Sequence, residues 1–124
     1  MSNVIALKNK IQAMTDGQLD KVKRLEGRLK QEPQVAIMTF HALHGGVYAR
    51  TAVIPCSSVS TGALIKVPTT LIINGDCTVY IGSDAVRVQG YQVIIASAGR
   101  KQAFLAHADT IITMIFRTDA KTVE

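Results

Sequence analysis

The sequence predicts a mainly β protein, an antiparallel sandwich or barrel preceded by an N-terminal α-helical arm. From residue 35 onward, short runs of aliphatic and β-branched residues alternate with turn residues, the pattern of consecutive antiparallel strands. No segment of this part is long enough to supply the helices that cover a parallel sheet. Residues 1–32 instead combine apolar residues at helical spacing with a high density of charge. The chain is therefore expected to divide into an arm, residues 1–32, and a β domain, residues 33–124.

The helical arm is predicted over residues 3–31, in two pieces. In the second piece, Thr15 and Asp16 offer N-cap oxygens, and the apolar residues that follow recur every three or four positions. Its two glycines weaken the helix by about 1 kcal/mol each, so the apolar stripe should pack against something. The residues expected to make this contact are Leu19, Val22, Leu25 and Leu29. The first piece has a partly apolar face made of Val4, Ile5, Leu7, Ile11 and Met14.

Nine short strands are predicted in the β domain. They are Val35–Phe40, Gly46–Ile54, Gly62–Val67, Thr70–Ile73, Cys77–Ile81, Ala85–Gln89, Tyr91–Ala96, Gln102–Ala106 and Thr110–Phe116. Turns are predicted between the later strands at Asn74-Gly75-Asp76, Gly82-Ser83-Asp84, Gly90 and Ala98-Gly99. Two runs, Thr70–Ile73 and Val93–Ala96, have few polar residues, which indicates that both faces are covered and that an outer face meets another subunit.

Composition limits the class of protein. A chain of 124 residues makes one domain, which can bury a core without disulfides or metals. Its apolar runs are far shorter than the roughly 20 residues that span a bilayer, and its N-terminus lacks the pattern of a secretory signal. Cys56 and Cys77 are expected to stay as thiols in a reducing compartment. We expect a cytoplasmic protein without a membrane segment.

The net charge of +5 is densest on the arm, where residues 1–33 hold seven basic and four acidic side chains. In the β domain, Arg87 and the pair Arg100-Lys101 are expected to lie on a solvated surface or to meet an acidic protein. No basic run exceeds two residues and no aromatic residues are interleaved with bases, which argues against nucleic acid. Nucleic-acid binding through the arm's basic face stays a third alternative. The acids on that face and the lack of aromatic anchors argue against a membrane surface.

Three stretches, each containing glycine, carry a resemblance to a known family. They are Ile54-Pro55 to Gly62, Ile73-Asn74-Gly75-Asp76-Cys77-Thr78-Val79-Tyr80, and Gly90 to Gly99. In these stretches the sequence resembles a cupin, a small antiparallel jelly roll. It is similar in particular to short cupin-like proteins of tailed bacteriophages, which share a leading helix and segments like Pro33-Gln34-Val35, His41 to Arg50, Ala98-Gly99-Arg100-Lys101 and His107-Ala108-Asp109-Thr110.

This resemblance implies a cupin-like β-sandwich over residues 33–117 and a non-enzymatic role in a virion. A decoration protein or a minor capsid or tail protein is the expected kind. Its partners would be other copies of the chain and further virion proteins. It would reside first in the host cytoplasm during assembly and then in the virion.

Metal-binding cupins hold a divalent ion with a His-x-His pair and a Glu, and with a later His. Here the stretch after Gly62 reads Ala63-Leu64-Ile65-Lys66-Val67-Pro68-Thr69, and no Glu occurs between Glu32 and Glu124. Near the end, where the phage relatives tend to have a final His, this chain has Ile115-Phe116. The resemblance therefore implies a lost metal site, and we expect no catalytic residue, metal or cofactor.

Two other site chemistries stay open as alternatives. A metal site of three histidines would use His41, His44 and His107. Such a site would make the chain a cupin-type metal-dependent enzyme or a small-ligand binder. His41 and His44 would converge only if Leu43 to Gly46 is a turn, because residues three apart in a strand point to opposite faces. Asp109 could orient His107 beside a serine, either Ser57, Ser58 or Ser60, although a turn or capping role for Asp109 is the simpler interpretation.

Overall fold

The computed structural model describes residues 10–32, 34, 37–62, 65–81 and 84–120. Within them, one helix and eight strands follow each other along the chain. They are β1 (Lys10–Ile11), α1 (Asp16–Leu29), β2 (Met38–His44), β3 (Val47–Ile54), β4 (Val59–Thr61), β5 (Thr69–Ile81), β6 (Asp84–Ala96), β7 (Ala103–Ala106) and β8 (Thr110–Arg117). The strands pair in the order β1-β6-β5-β8-β3-β2, and β7 joins β5 to β4. All pairs are antiparallel except β1 with β6, so the predicted mainly β, antiparallel fold is confirmed.

A long hairpin of β5 and β6 organises the sheet. The first half of β5, Thr70 to Asn74, pairs with β8, whereas its second half, Cys77 to Tyr80, pairs with β7. The sheet therefore curls around β5, and the core lies inside the curl. The buried core side chains are chiefly aliphatic: Ile11, Ile54, Leu71, Ile73, Cys77, Val79, Val88, Ile94, Ala96, Ala106 and Ile112.

The turns predicted at Asn74-Gly75-Asp76 and at Gly90 are wrong. Gly75 and Gly90 lie opposite each other within two continuous strands, at the point where β5 changes its second partner. Glycine is needed at 75 because φ is +148° and because a Cβ there would meet the backbone of Thr110 at 2.8 Å. Where four short strands are predicted between Thr70 and Ala96, the structure has two long strands, β5 and β6. Ile81 pairs with Asp84 at the end of the hairpin. Residues 82 and 83, for which a turn is predicted, lie outside the described residues.

Two other predicted strands differ from the structure. A strand is predicted at Val35–Phe40, but the structure has β2, which continues to His44. The strand ends there because Gly45 and Gly46, with φ of 59° and 78°, form the two-residue turn of a tight hairpin. Instead of Gly62–Val67, a short β4 ends at Thr61, and a single bridge joins Ile65 to Arg100. Residues 35, 36, 63 and 64 lie outside the described residues.

The predicted N-terminal arm is a single helix in the described part of the chain. The cap at Thr15 is confirmed, with Gln18 completing a capping box. The first predicted helical piece is wrong at its end, where Lys10–Ile11 is a strand beside β6. Burial of Ile11 and pairing with a sheet edge outweigh a weak local helical tendency, and Ser97 N donates to Ile11 O at 2.9 Å. Residues 1–9 lie outside the described residues.

Helix α1 lies beside the outer side of β4, β7 and the end of β5, and Glu26 joins it to Thr61 and Lys101. Val22 is buried, and with Leu25 it faces Val59, Tyr80 and Leu105. The apolar stripe therefore packs on the chain's own sheet. Leu19 and Leu29 are half-buried, and their contact with a partner stays a prediction. The division into an arm and a β domain also stays a prediction.

Candidate functional site

The outer face of β6, β5, β8, β3 and β2 differs from the helix-covered face. Directly paired residues share a face, so the strand registers place three rows of five side chains on it. We call these fifteen residues the open face. The rows are Ile95, Thr70, Ile115, Ala49 and Ala42; Val93, Ile72, Thr113, Thr51 and Phe40; and Tyr91, Asn74, Ile111, Val53 and Met38.

None of the fifteen side chains of the open face is charged. Met38, Phe40, Tyr91 and Ile95 are each more than half exposed, although they are large and apolar. Charged residues lie beyond the outer rows and at the β1 edge: Arg117 follows one outer row, Asp76 follows the other, and Lys10 pairs with Ile95. An apolar centre with a polar rim is the pattern of a protein interface.

The inside of the curled sheet holds a cavity of about 310 Å³, which we call the barrel cavity. Its wall is mostly apolar, with Ile37, Ala52, Ile54, Ile65, Leu71, Phe104, Ile112 and Met114. Its polar side chains are Thr39, Arg50, Ser60, Thr61, Arg100 and Gln102. None of the described residues that line it is Asp or Glu.

Arg100 is the most deeply buried charged side chain of the described residues, with 1% of its surface exposed. Its Nε donates to Gln102 Oε1 at 3.0 Å, Nη1 donates to Ser97 O at 2.9 Å, and Nη2 donates to Thr69 Oγ1. All three acceptors are neutral, and no described carboxylate lies within ion-pair distance of the guanidinium. Burial lowers the pKa of Arg100 to about 10, so the group stays protonated at neutral pH. An ion buried without a counter-charge costs several kcal/mol.

Gln102 adds a second unsatisfied group to the same wall. Its side chain is 5% exposed, and among the described residues its Nε2 is buried with no hydrogen-bond partner. The amide orientation is fixed, because only the oxygen can accept from Arg100 Nε. A buried donor without an acceptor costs about 1–3 kcal/mol.

Two basic side chains, Arg50 and Lys66, line a groove beside the barrel cavity. The groove shares Arg50, Ile65 and Met114 with the cavity. Arg50 and Lys66 are exposed, so this groove carries positive charge. An anion would therefore be attracted to the surface beside the cavity.

The topology resembles that of solved structures of one superfamily. A cupin superfamily protein from Desulfitobacterium hafniense has a TM-score of 0.55 and 12% identity over 71% of this chain and 83% of its own. The chain has the cupin fold. A cupin-2 domain protein from Shewanella frigidimarina has a TM-score of 0.51 and 12% identity over 82% of this chain and 99% of its own. The salicylate 1,2-dioxygenase of Pseudaminobacter salicylatoxidans has a TM-score of 0.58 and 11% identity over 82% of this chain and 32% of its own. No family model and no curated protein matches the sequence.

The three histidines do not come together in this cupin fold. His41 and His44 lie on one strand, so they face opposite sides of the sheet, and the turn that would unite them lies beyond both. His44 is at the β2–β3 hairpin, whereas His107 lies past the other end of β3, about 24 Å away along the strand. His41 Nδ1 lies 2.6 Å from Tyr48 Oη, and His107 Nε2 lies 2.7 Å from Thr78 Oγ1.

No group of three His, Cys, Asp or Glu in the described part of the chain could hold a metal ion. Asp109 also does not orient His107. Its Oδ1 accepts from Cys56 N at 2.8 Å, which is the capping role that the sequence favoured. The thiols of Cys56 and Cys77 are free, as expected.

The predicted basic surface of Arg87, Arg100 and Lys101 is wrong for two of its three members. Arg100 points into the cupin barrel, and Lys101 is 7% exposed, with its Nζ 2.9 Å from Glu26 Oε2 and 2.7 Å from Gly62 O. Arg87 alone is exposed, and it pairs with Asp76 at 2.8 Å. Sequence reasoning missed Arg100 and Gln102 because Arg100 binds Thr69, which is distant in sequence, and because Ser97 and Gln102 follow no periodic pattern around it. No described helix has the length and hydropathy to cross a bilayer.

Proposed function

We propose that this chain is a non-enzymatic structural protein that assembles with copies of itself through the open face. The observation that carries the proposal is that fifteen neighbouring side chains on this face include no charge. The opposite outer face has its own helix as a cover, with Val22 buried beneath it. No described helix lies over the open face, and Met38, Phe40, Tyr91 and Ile95 on it are each more than half exposed.

The size of the open face fits an interface between subunits. Five strands spaced about 4.8 Å apart, with five residues of about 3.4 Å each, give an area on the order of 400 Å². This is within the range of the largest apolar patches on monomers, which are often functional. Two such faces with their rims would bury on the order of 1,000 Å², enough for a specific interface.

A second copy is the occupant that suits this surface best. A sheet packs well face to face on another sheet, and a twofold axis would bring the apolar centre of one copy onto that of the other. Charged rim groups such as Arg117 would stay in solvent, so no charge would be buried. A strongly charged partner such as nucleic acid would find nothing to pair with on this face.

The resemblance to cupin-like proteins of tailed bacteriophages supports a place for this assembly in a virion. The role would be that of a decoration protein or of a minor capsid or tail protein. Other virion proteins would then be further partners. The chain would meet them in the host cytoplasm during assembly.

Light scattering coupled to size-exclusion chromatography tests the assembly. At tens of micromolar, the chain should elute as a dimer or larger species. The variants Phe40→Glu and Ile95→Lys place a charge in the open face and should give folded monomers with unchanged circular dichroism. Val86→Lys, on the same strand as Ile95 and 50% exposed against 58% for Ile95 but outside the face, is the matched control and should still assemble.

A folded wild-type monomer at this concentration would overturn the proposed assembly, as would variants that assemble as the wild type does. Native mass spectrometry of the complex purified from its source tests the virion role separately. Virion proteins in defined stoichiometry would support that role. A complex made only of metabolic enzymes would contradict it.

A further inference from the structure

We propose that the barrel cavity binds a small monocarboxylate with an apolar body, and that Arg100 and Gln102 hold the carboxylate. This site is independent of the proposed assembly. It lies on the inner side of the sheet, whereas the assembly uses the outer side.

The first step of the argument is the charge of Arg100. The guanidinium lines the cavity, is almost fully buried and is neutralised by no described carboxylate. Its described hydrogen bonds use one hydrogen on each nitrogen, and Nη1 and Nη2 each carry a second one. A carboxylate would supply both the missing negative charge and acceptors for these hydrogens.

Gln102 provides the second step. Its Nε2 is a buried donor without a described partner, and its Oε1 is held by Arg100 Nε at 3.0 Å. The amide and the guanidinium are thus linked side by side in one wall, where two oxygens of one anion can reach both. Water alone could satisfy the amide, but it would leave the charge of Arg100 without a counter-ion.

The remaining wall defines the rest of the ligand. Leu71, Phe104, Ile112 and Met114 line the cavity, and among its described lining residues no acidic side chain would repel an anion. About 310 Å³ is the lower end of the range for small-molecule sites. These features favour a compact aliphatic or aromatic acid over a sugar phosphate, which would need many more polar partners.

Titration calorimetry on the full chain tests the site with benzoate and hexanoate, and with the neutral analogues benzamide and hexanamide. Both acids should bind, and each amide should bind at least roughly tenfold more weakly, because it cannot neutralise Arg100. Inorganic phosphate serves as a further arm, and it should bind more weakly than the acids. Equal binding of acid and amide, tighter binding of phosphate, or no binding of either acid up to about 10 mM, would overturn the proposal.

The variant Gln102→Glu gives a sharper test, because it places a carboxylate of nearly the same shape beside Arg100. This internal anion should raise the melting temperature and weaken binding of benzoate by about 100-fold. Lys23→Gln changes the net charge by the same amount at an exposed site on α1 and should leave binding within about twofold. Unchanged binding in Gln102→Glu would show that the two groups are only structural.

Nuclear magnetic resonance of the wild-type chain keeps the proposal testable if the variant does not fold. Saturation with benzoate should shift the side-chain amide signals of Gln102 and the Nε–H signal of Arg100, and benzamide should leave both in place. Benzoate binding without these shifts would place the acid elsewhere and overturn the assignment. None of these readouts depends on the oligomeric state, so failure here leaves the assembly standing, and the reverse also holds.

Discussion

At the scale of single residues, the buried charges of this protein fall into two kinds. Lys101 has a carboxylate partner, since its Nζ lies 2.9 Å from Glu26 Oε2, and Thr61 Oγ1 donates to the same oxygen at 3.1 Å. Arg100, the preceding residue, has neutral acceptors alone among the described residues. The first arrangement joins α1 to the sheet. The second leaves a charge inside the barrel that a ligand could match.

The ion pair of Lys101 and Glu26 leads to a prediction about stability and pH. The hydrogen bond from Lys101 is the largest cause that lowers the pKa of Glu26 below its usual 4.5, and burial opposes it. Glu26→Gln should lower the free energy of unfolding at pH 7 by about 1–2 kcal/mol, because Lys101 loses its counter-charge in a mostly buried place.

Since the folded pKa of Glu26 is depressed, the stabilisation is complete above about pH 4.5 and is lost as the pH falls through the lower folded value. Urea unfolding at a series of pH values should therefore show the two proteins converging in acid. Glu32→Gln, at an exposed site just after the helix, is the control and should have little effect at any pH. A difference that stays constant in acid would contradict the assigned role of Glu26.

At the scale of elements, Gly75 at the midpoint of β5 is a position that has no room for a larger residue. A Cβ at Gly75 would lie 2.6 Å from Thr110 Oγ1 and 2.9 Å from Asp109 O. Thr110 is held there by its own contacts, because its Oγ1 accepts from Asp76 N and lies 2.9 Å from Ala108 O. The backbone of the neighbouring strand therefore cannot move aside easily.

Gly75→Ala should lower the free energy of unfolding by about 2–4 kcal/mol, since it combines a disfavoured φ with a backbone clash. Gly90→Ala, at the paired position, meets nothing within 4 Å, so it should lose only about 1 kcal/mol from its φ of 76°. Gly27 lies on α1, where an added Cβ would meet nothing within 4 Å, so Gly27→Ala should instead raise the free energy of unfolding by about 0.5–1 kcal/mol. Chemical denaturation of the three variants measures these values. An equal loss in Gly75→Ala and Gly90→Ala would mean that the contact with Thr110 is unimportant.

The same elements show which parts of the fold the sequence could predict. The cap at Thr15, the apolar stripe of α1 and strands such as Thr110–Arg117 depend on local spacing, so they were predictable. The sequence alone predicts turns at Gly75 and Gly90, because glycine occurs both in tight turns and where two backbones approach closely. Only the partner strand distinguishes these two cases. Ile11 lies in a strand although a helix is predicted there, and local spacing cannot show this because its partner strand is more than 80 residues away in sequence. The barrel cavity was not predictable, because Arg100 and Gln102 looked like ordinary surface residues.

At the scale of the whole molecule, one strand holds the two halves of the sheet together. Cys77 lies in the second half of β5, paired with Val88 on one side and with Ala106 on the other. Its thiol is 1% exposed within the core, and the other cysteine, Cys56, is exposed at a loop. Reaching the thiol of Cys77 should therefore require both halves to separate.

This arrangement predicts that Cys77 reports on global unfolding. Burial, with a smaller effect of the Asp76 charge, raises the pKa of the Cys77 thiol to about 11, so at about pH 8 the reactive thiolate is scarce even apart from steric shielding. In the variant Cys56→Ser, a thiol reagent should label the native protein only very slowly. The labelling rate should rise with urea in parallel with the unfolding seen by circular dichroism. The wild-type chain is the control and should show one rapidly labelled thiol, that of Cys56. Labelling of Cys77 at a rate that urea does not change would instead mean that β7 opens locally, and the sheet would then not unfold as one unit.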